Sequence, residues 1–204
     1  MLLSRVFLIV FLLFSLSACT SQYMAAGYQK TKEVLSLEEQ HELIRKADWR
    51  LATHTPLYLA KPSYPQQTSS GSTEYLRARY ALLSALERAF IARYPTLHTE
   101  TSALELDEAI TASQIAGARV LVYPQLLGYL DYADKSGGNA KAMFSKDKTT
   151  IQILLIDVYS QKILDTATIQ SKSKIFNSSN NYASDLFEQA AWEYVQQLSG
   201  ATAL

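Results

Sequence analysis

Residues 6–14 carry no polar side chain, and they lead through Leu16-Ser17-Ala18 to the only cysteine of the chain, Cys19. This segment limits what the remainder can fold into. A helix that crosses a bilayer needs about 20 apolar residues for roughly 30 Å of hydrocarbon. The run here is too short and ends in small residues. Its start at Arg5, its brief apolar centre and its small-residue exit match a cleavable secretory segment. The rest of the chain is expected to be exported. It has no second cysteine for an internal disulfide or a cysteine-based metal site. The fold must therefore rest on its hydrophobic core.

The core has material to draw on. Hydrophobic residues make up 48% of 204 positions, enough for one ordinary domain. Nineteen Lys and Arg balance nineteen Asp and Glu, so no strong field draws nucleic acid and no polybasic segment marks an anionic surface. The expected organisation is a signal segment over 1–18, a tether over 19–35 and a single domain over 36–204, with its core at about 50–198. The quartet Leu16-Ser17-Ala18-Cys19 resembles the lipobox of bacterial lipoproteins. That resemblance implies that Cys19 carries diacylglycerol and palmitate and holds the protein to a membrane through a lipid anchor. Thr20, where an aspartate commonly retains such proteins in the inner membrane, implies an outer-membrane anchor facing the periplasm.

Along the chain, Ser36 to Glu39 reads as a capping box, and Leu37, His41, Ile44 and Ala47 follow at helical spacing, so a short helix is expected over 36–48. Residues 50–60 alternate as a strand, with Pro56 weakening its ladder or placing it at an edge. The longest helix is expected over 73–94, on the stripe Leu76, Tyr80, Leu83, Leu86, Phe90 and Tyr94. A second helix opens at Ser102 and stops at Gly117. Strands over 119–132, interrupted by Pro124 and Gly128, and over 149–159 and 162–175 make an antiparallel meander, the last two joined at Ser160-Gln161 or, since Ser-Gln is a poor two-residue turn, through a longer loop. Residues 177–181 form a turn, and a closing amphipathic helix carries Phe187, Ala191, Tyr194, Val195 and Leu198. The expected fold class is α+β: a two-layer domain with a mostly antiparallel or mixed sheet of about four strands and helices packed on one face.

Several residues invite a search for chemistry. His41, His54 and His98 show no i,i+4 pair and no neighbouring cysteine, whereas zinc needs three or four convergent ligands. No Gly-x-Ser-x-Gly elbow is present, and Gly137-Gly138 lacks the pattern of a phosphate loop. Asp131 and Asp134 read as solvated carboxylates, since calcium wants more oxygens. No catalytic residue, metal or cofactor is expected. Thirteen tyrosines are many, and Tyr123, Tyr129 and Tyr132 gather on one strand and its exit. Packing is the favoured reading of these rings over an interface role. The polar loop over 133–148 is the favoured contact surface, so the candidate partner residues are Tyr129, Tyr132, Gly137 and Gly138.

The order of elements resembles the DUF4823 family of small bacterial lipoproteins. The resemblance rests on Ser70-Gly71-Ser72 before the long helix, on the run from Ala116 to Pro124, on the hairpin over 151–175 and on the closing helix over 185–198. One departure stands out: residues 128–134 contain no tryptophan, where the family's segment is rich in Trp and acidic residues. The wider architecture is similar to the curli-secretion lipoprotein, the penicillin-binding-protein activator lipoprotein and the amino-terminal domain of TolB. Those are binding or assembly modules. The resemblance implies a non-catalytic envelope lipoprotein with an envelope protein partner or self-association, and no nucleic acid. An envelope enzyme or a small-ligand-binding lipoprotein with an unrecognised site remains the alternative.

Overall fold

The computed structural model describes residues 39–63, 73–130, 147–174 and 183–200. They build an α+β fold with one open mixed sheet. The elements are β1 Gln40–Arg45, β2 Leu57–Leu59, α1 Thr73–Ile91, β3 Leu97–Thr99, α2 Leu106–Ile115, β4 Val120–Leu130, β5 Lys148–Asp157, β6 Ile163–Lys172 and α3 Leu186–Ser199. A 3-10 turn, Ala183–Asp185, leads into α3. The sheet order is β1-β6-β5-β4-β2-β3. Strand β2 runs parallel to both β3 and β4, and the other pairings are antiparallel. Among the described residues, no helix is long and apolar enough to cross a membrane.

The expected meander is present as β4-β5-β6, but the sheet has six strands, not about four. Nor do the helices share one face. Leu57, Leu59, Val120, Val122, Ile151, Ile153, Ala167 and Ile169 point into a core shared with α1 and α3. Tyr58, Leu121, Tyr123 and Ile156 point the other way, against Ala109 and Ile110 of α2. Connection handedness explains the split. Parallel strands join by right-handed crossovers. The crossover from β2 to β3 carries α1 outward across the sheet. The next, from β3 to β4, runs back past β2, so the same hand puts α2 on the opposite face. Strand β3 is not expected from sequence, and without it the helices would have no reason to separate.

The segment expected as a helix over 36–48 is, where described, the edge strand β1. Its partner is β6, in the register Gln40↔Lys172 to Arg45↔Ala167. Helical spacing misleads here because the inward side chains include His41 and Arg45, which hide the strand alternation. The strand expected over 50–60 shrinks to Leu57–Leu59, and it lies inside the sheet, not at an edge. Before it, Leu51 is buried and its N–H donates to Leu198 O at 2.8 Å. Helix α1 buries most of the expected stripe, with Leu83, Leu86 and Phe90 inside and Tyr94 buried just beyond its end, and adds alanines to it. Ala78, Leu82, Ala85, Leu86, Ala89 and Phe90 are buried, while Leu76 and Tyr80 are exposed. The alanines form part of the buried face against the sheet. Helix α2 begins at Leu106 with Glu105 and Glu108 as its capping box, later than Ser102. Gly117, at φ 70°, follows its end. Strand β4 passes through Pro124 without a break. Pro124 O accepts from Ser63 N at 3.0 Å, so the proline's missing donor lies on the side where β2 has ended. The register shifts instead between Leu126 and Gly128.

A buried ion pair fixes β1. Arg45 Nε donates to Asp165 Oδ2 at 2.8 Å, with the two side chains 7% and 0% exposed. Asp165 Oδ1 accepts from Ala47 N, and Arg45 Nη2 donates to Trp49 O. The guanidinium lies 5.9 Å from the ring of Tyr194. The Tyr194 hydroxyl is buried without a hydrogen-bond partner among the described residues, and burial pushes its pKa well above the ordinary value. Asp165→Ala strands a buried cation and should cost about 3–5 kcal/mol in urea unfolding, whereas Arg45→Met with Asp165→Leu should cost far less. Tyr194→Phe removes an unmet hydroxyl and should leave stability unchanged or raise it by about 1 kcal/mol in the same measurement.

Candidate functional site

The β5–β6 hairpin ends in residues 158–162, a longer connection than a two-residue turn at Ser160-Gln161. Asp157, at the end of β5, organises it. Its Oδ1 accepts from the N–H groups of Tyr159 at 3.2 Å and Ser160 at 2.8 Å. Asp157 N donates to Lys162 O, and Gln161 N donates to Asp157 O. Gln161 has φ 56°, a left-handed conformation that a non-glycine residue adopts at a cost of about 1–3 kcal/mol. The carboxylate's other oxygen meets Arg119 Nη2 at 3.0 Å. The hydrogen bond from the Ser160 backbone, assisted by Arg119, holds the Asp157 pKa below the ordinary carboxylate range.

These contacts stiffen an exposed surface. The Arg119 guanidinium lies 5.4 Å from the centre of the Tyr159 ring. Arg119 enters β4, and its carbonyl accepts from Val158 N at 3.1 Å. Helix α2 is tied to the same place, because Gln114 Nε2 donates to Val158 O at 3.1 Å. That bond brings the end of α2, with Ile115, beside the hairpin. Ile163 opens β6 opposite Ile156, on the α2 side of the sheet. Ile115 is 84% exposed, and Tyr159 and Ile163 are each 60% exposed. Single exposed apolar residues are ordinary. An exposed tyrosine beside an arginine, on a base fixed by hydrogen bonds and with exposed Ile115 and Ile163 on the elements that meet there, has the composition of a protein-binding centre, where aromatic residues and Arg are enriched.

Of the sequence-predicted candidates, the described residues include Tyr129. Tyr129 is half-buried on β4, its ring 5.9 Å from Tyr75 and 6.1 Å from Phe187. Tyr132, Gly137, Gly138 and Cys19 lie outside the described residues, as do Asp131, Asp134, the signal segment, the tether and the turn over 177–181. The histidines have separate surroundings. His41 Nδ1 is 2.8 Å from Ser171 Oγ on β6, His54 is exposed, and His98 stacks on Tyr58 at 5.0 Å. Among the described residues, no group of three His, Cys, Asp or Glu side chains is placed to hold a metal. A groove of about 320 Å3 between α1 and α3, lined by Ala81, Ser84, Asp185 and others, is spanned by the Arg88–Glu188 ion pair. Sequence reasoning missed Tyr159. The available signal was a tyrosine at a hairpin tip, one residue beyond the apolar strand pattern, where no core position awaits it.

A family model described as "Domain of unknown function (DUF4823)" matches residues 49–198. No curated protein matches the chain in sequence. Among solved structures, a dodecamer of a PelC variant from Paraburkholderia phytofirmans is similar at 11% identity and a TM-score of 0.52, over 75% of this chain and 96% of that one. A second PelC dodecamer structure from the same organism gives 12% identity and 0.52, over 80% and 100%. Lipoprotein GNA1162 from Neisseria meningitidis gives 14% identity and 0.46, over 72% and 99%, too loose a likeness to argue from. At these identities the PelC likeness is one of fold.

The hairpin base is testable through Asp157. Its carboxylate stabilises the fold when ionised, because its pKa is lowered on folding. That contribution is present above the ordinary carboxylate pKa and is lost as the pH falls through the lower folded value. Asp157→Ala should cost about 1–2 kcal/mol at neutral pH. The gap between variant and parent should close in acid, as read from urea unfolding across a pH series.

Proposed function

Because the chain belongs to the DUF4823 family, whose region spans residues 49–198 here, we propose that it is a non-catalytic lipoprotein of the bacterial envelope, a protein-binding or assembly module that works through Arg119, Tyr159, Ile115 and Ile163. The observation that carries this reading is the platform itself: apolar and aromatic side chains left in solvent on a base held by Asp157 and Gln114. A surface that is rigid before it meets its partner loses little freedom on binding. The PelC structures are described as dodecamers, so a chain of this fold can assemble in that protein. Cys19 supplies the anchor in this reading, through the lipobox that ends at it, and Thr20 favours the outer membrane with the domain in the periplasm.

A photo-reactive aromatic residue in place of Tyr159, irradiated in intact cells, should give one defined adduct, and the same probe at exposed His54 should not. Ile115→Asp should reduce the Tyr159 adduct roughly tenfold. Equal adducts from both positions would remove the platform as the binding surface. For the anchor, cells fed labelled palmitate should label the parent chain and not Cys19→Ala; unchanged labelling of the variant would reject it.

A further inference from the structure

Among the described residues, strand β1 lies at the edge of the sheet and pairs along one side, with β6. It is twice as long as β3, the three-residue strand at the other edge. Lys46 N donates to Thr166 O at 3.1 Å, continuing the strand register. In an antiparallel ladder, residues that bond to one neighbour alternate with residues whose main-chain groups point away. Gln40, Glu42 and Ile44 therefore bond toward β6, and His41, Leu43 and Arg45 turn their N–H and C=O groups away from it. Side chains alternate between the two faces. Leu43 packs on the α1–α3 core, and Glu42, Ile44 and Lys46 stand exposed on the opposite face, with Ile44 53% exposed.

We infer that β1 pairs edge to edge with β1 of a second copy of this chain, antiparallel, about a two-fold axis that passes between the two Ile44 residues. The side chains select this register. An axis at Glu42 would set two carboxylates opposite each other, which is destabilising. An axis at Leu43 would set each Ile44 opposite Glu42 of the other copy. With the axis at Ile44, the two isoleucines meet in a non-hydrogen-bonded pair, where side chains come closest. Glu42 of each copy then lies opposite Lys46 of the other. Leu43 falls opposite Arg45 of the second copy, so the outward-pointing main-chain groups bond each other. Charges on an edge strand discourage chance pairing; here they match in one register. The contact uses the same surface on both copies and closes at two. It leaves the Arg119–Tyr159 platform free and stands whether or not that platform binds a partner.

Cysteine crosslinking of the full chain in cells tests the pairing. Ile44→Cys should give an oxidised dimer on a non-reducing gel well above the parent. Glu42→Cys should not, because the two thiols would sit four strand positions apart. In the Ile44→Cys background, Glu42→Lys should lower the dimer yield about tenfold, and adding Lys46→Glu should restore it. No excess dimer from Ile44→Cys, equal yields from Glu42→Cys, or no restoration by the second charge change would each overturn the pairing. A dimer formed by the parent through Cys19 alone would instead count against the lipid anchor, and the pairing would still be read from the difference between Ile44→Cys and Glu42→Cys.

Discussion

A parallel strand covered on both faces has to satisfy two cores at once, and Leu57-Tyr58-Leu59 does so with three residues. Leu57 and Leu59 enter the core under α1 and α3, and Tyr58 enters the one under α2. The same residues pair with β3 on one side and β4 on the other. Burial of side chains this size is worth about 1.5–3 kcal/mol each. The rest of the fold is set by that position. Two crossovers must leave and return past β2, one over each face, and the long antiparallel strands extend the sheet from β4 outward. Tyr58 keeps its polar end satisfied through Glu100 at 2.8 Å, and burial raises its pKa.

Away from this centre the molecule is held by charge and hydrogen bonding around the start of β6. Near its start, Asp165 clamps Arg45 and the chain that leaves β1. Just before it, Asp157 closes the hairpin and holds Arg119. The two carboxylates act differently because their surroundings differ. Asp165 is enclosed, so its partner is needed mainly to offset a desolvated charge. Asp157 faces a turn whose free N–H groups it caps, and its arginine is largely exposed, so the ion pair contributes little beside the hydrogen bonds. The outcome in both cases is a fixed backbone next to solvent-facing side chains.

That arrangement bears on function. Helix α2 covers part of its face of the sheet, at the end where the hairpin turns. Ile115 ends α2, Tyr159 and Ile163 flank the hairpin turn, and all three are exposed. Strand β1 lies beside β6, with its own exposed isoleucine between opposite charges. Ile44 pairs with Thr168, five positions along β6 from Ile163.

Much of the fold was legible in the sequence. The β4-β5-β6 meander, both long helices and the α+β class follow from hydrophobic period, because each of those elements is long enough to repeat its pattern. The single cysteine, the even charge balance and the lipobox-like quartet are likewise properties of the chain as written. Only the tertiary structure decided the rest. Strand β1 carries Arg45 on its inward face, which reads as a surface residue until Asp165 is brought to it from more than a hundred positions away. Strands β2 and β3 are too short to show a period, and yet they determine that α2 crosses to the other face. The sequence set Tyr159 apart only by its place at a hairpin tip; its exposure depends on where that tip falls relative to a core, and periodicity along one strand carries no information about what packs above it.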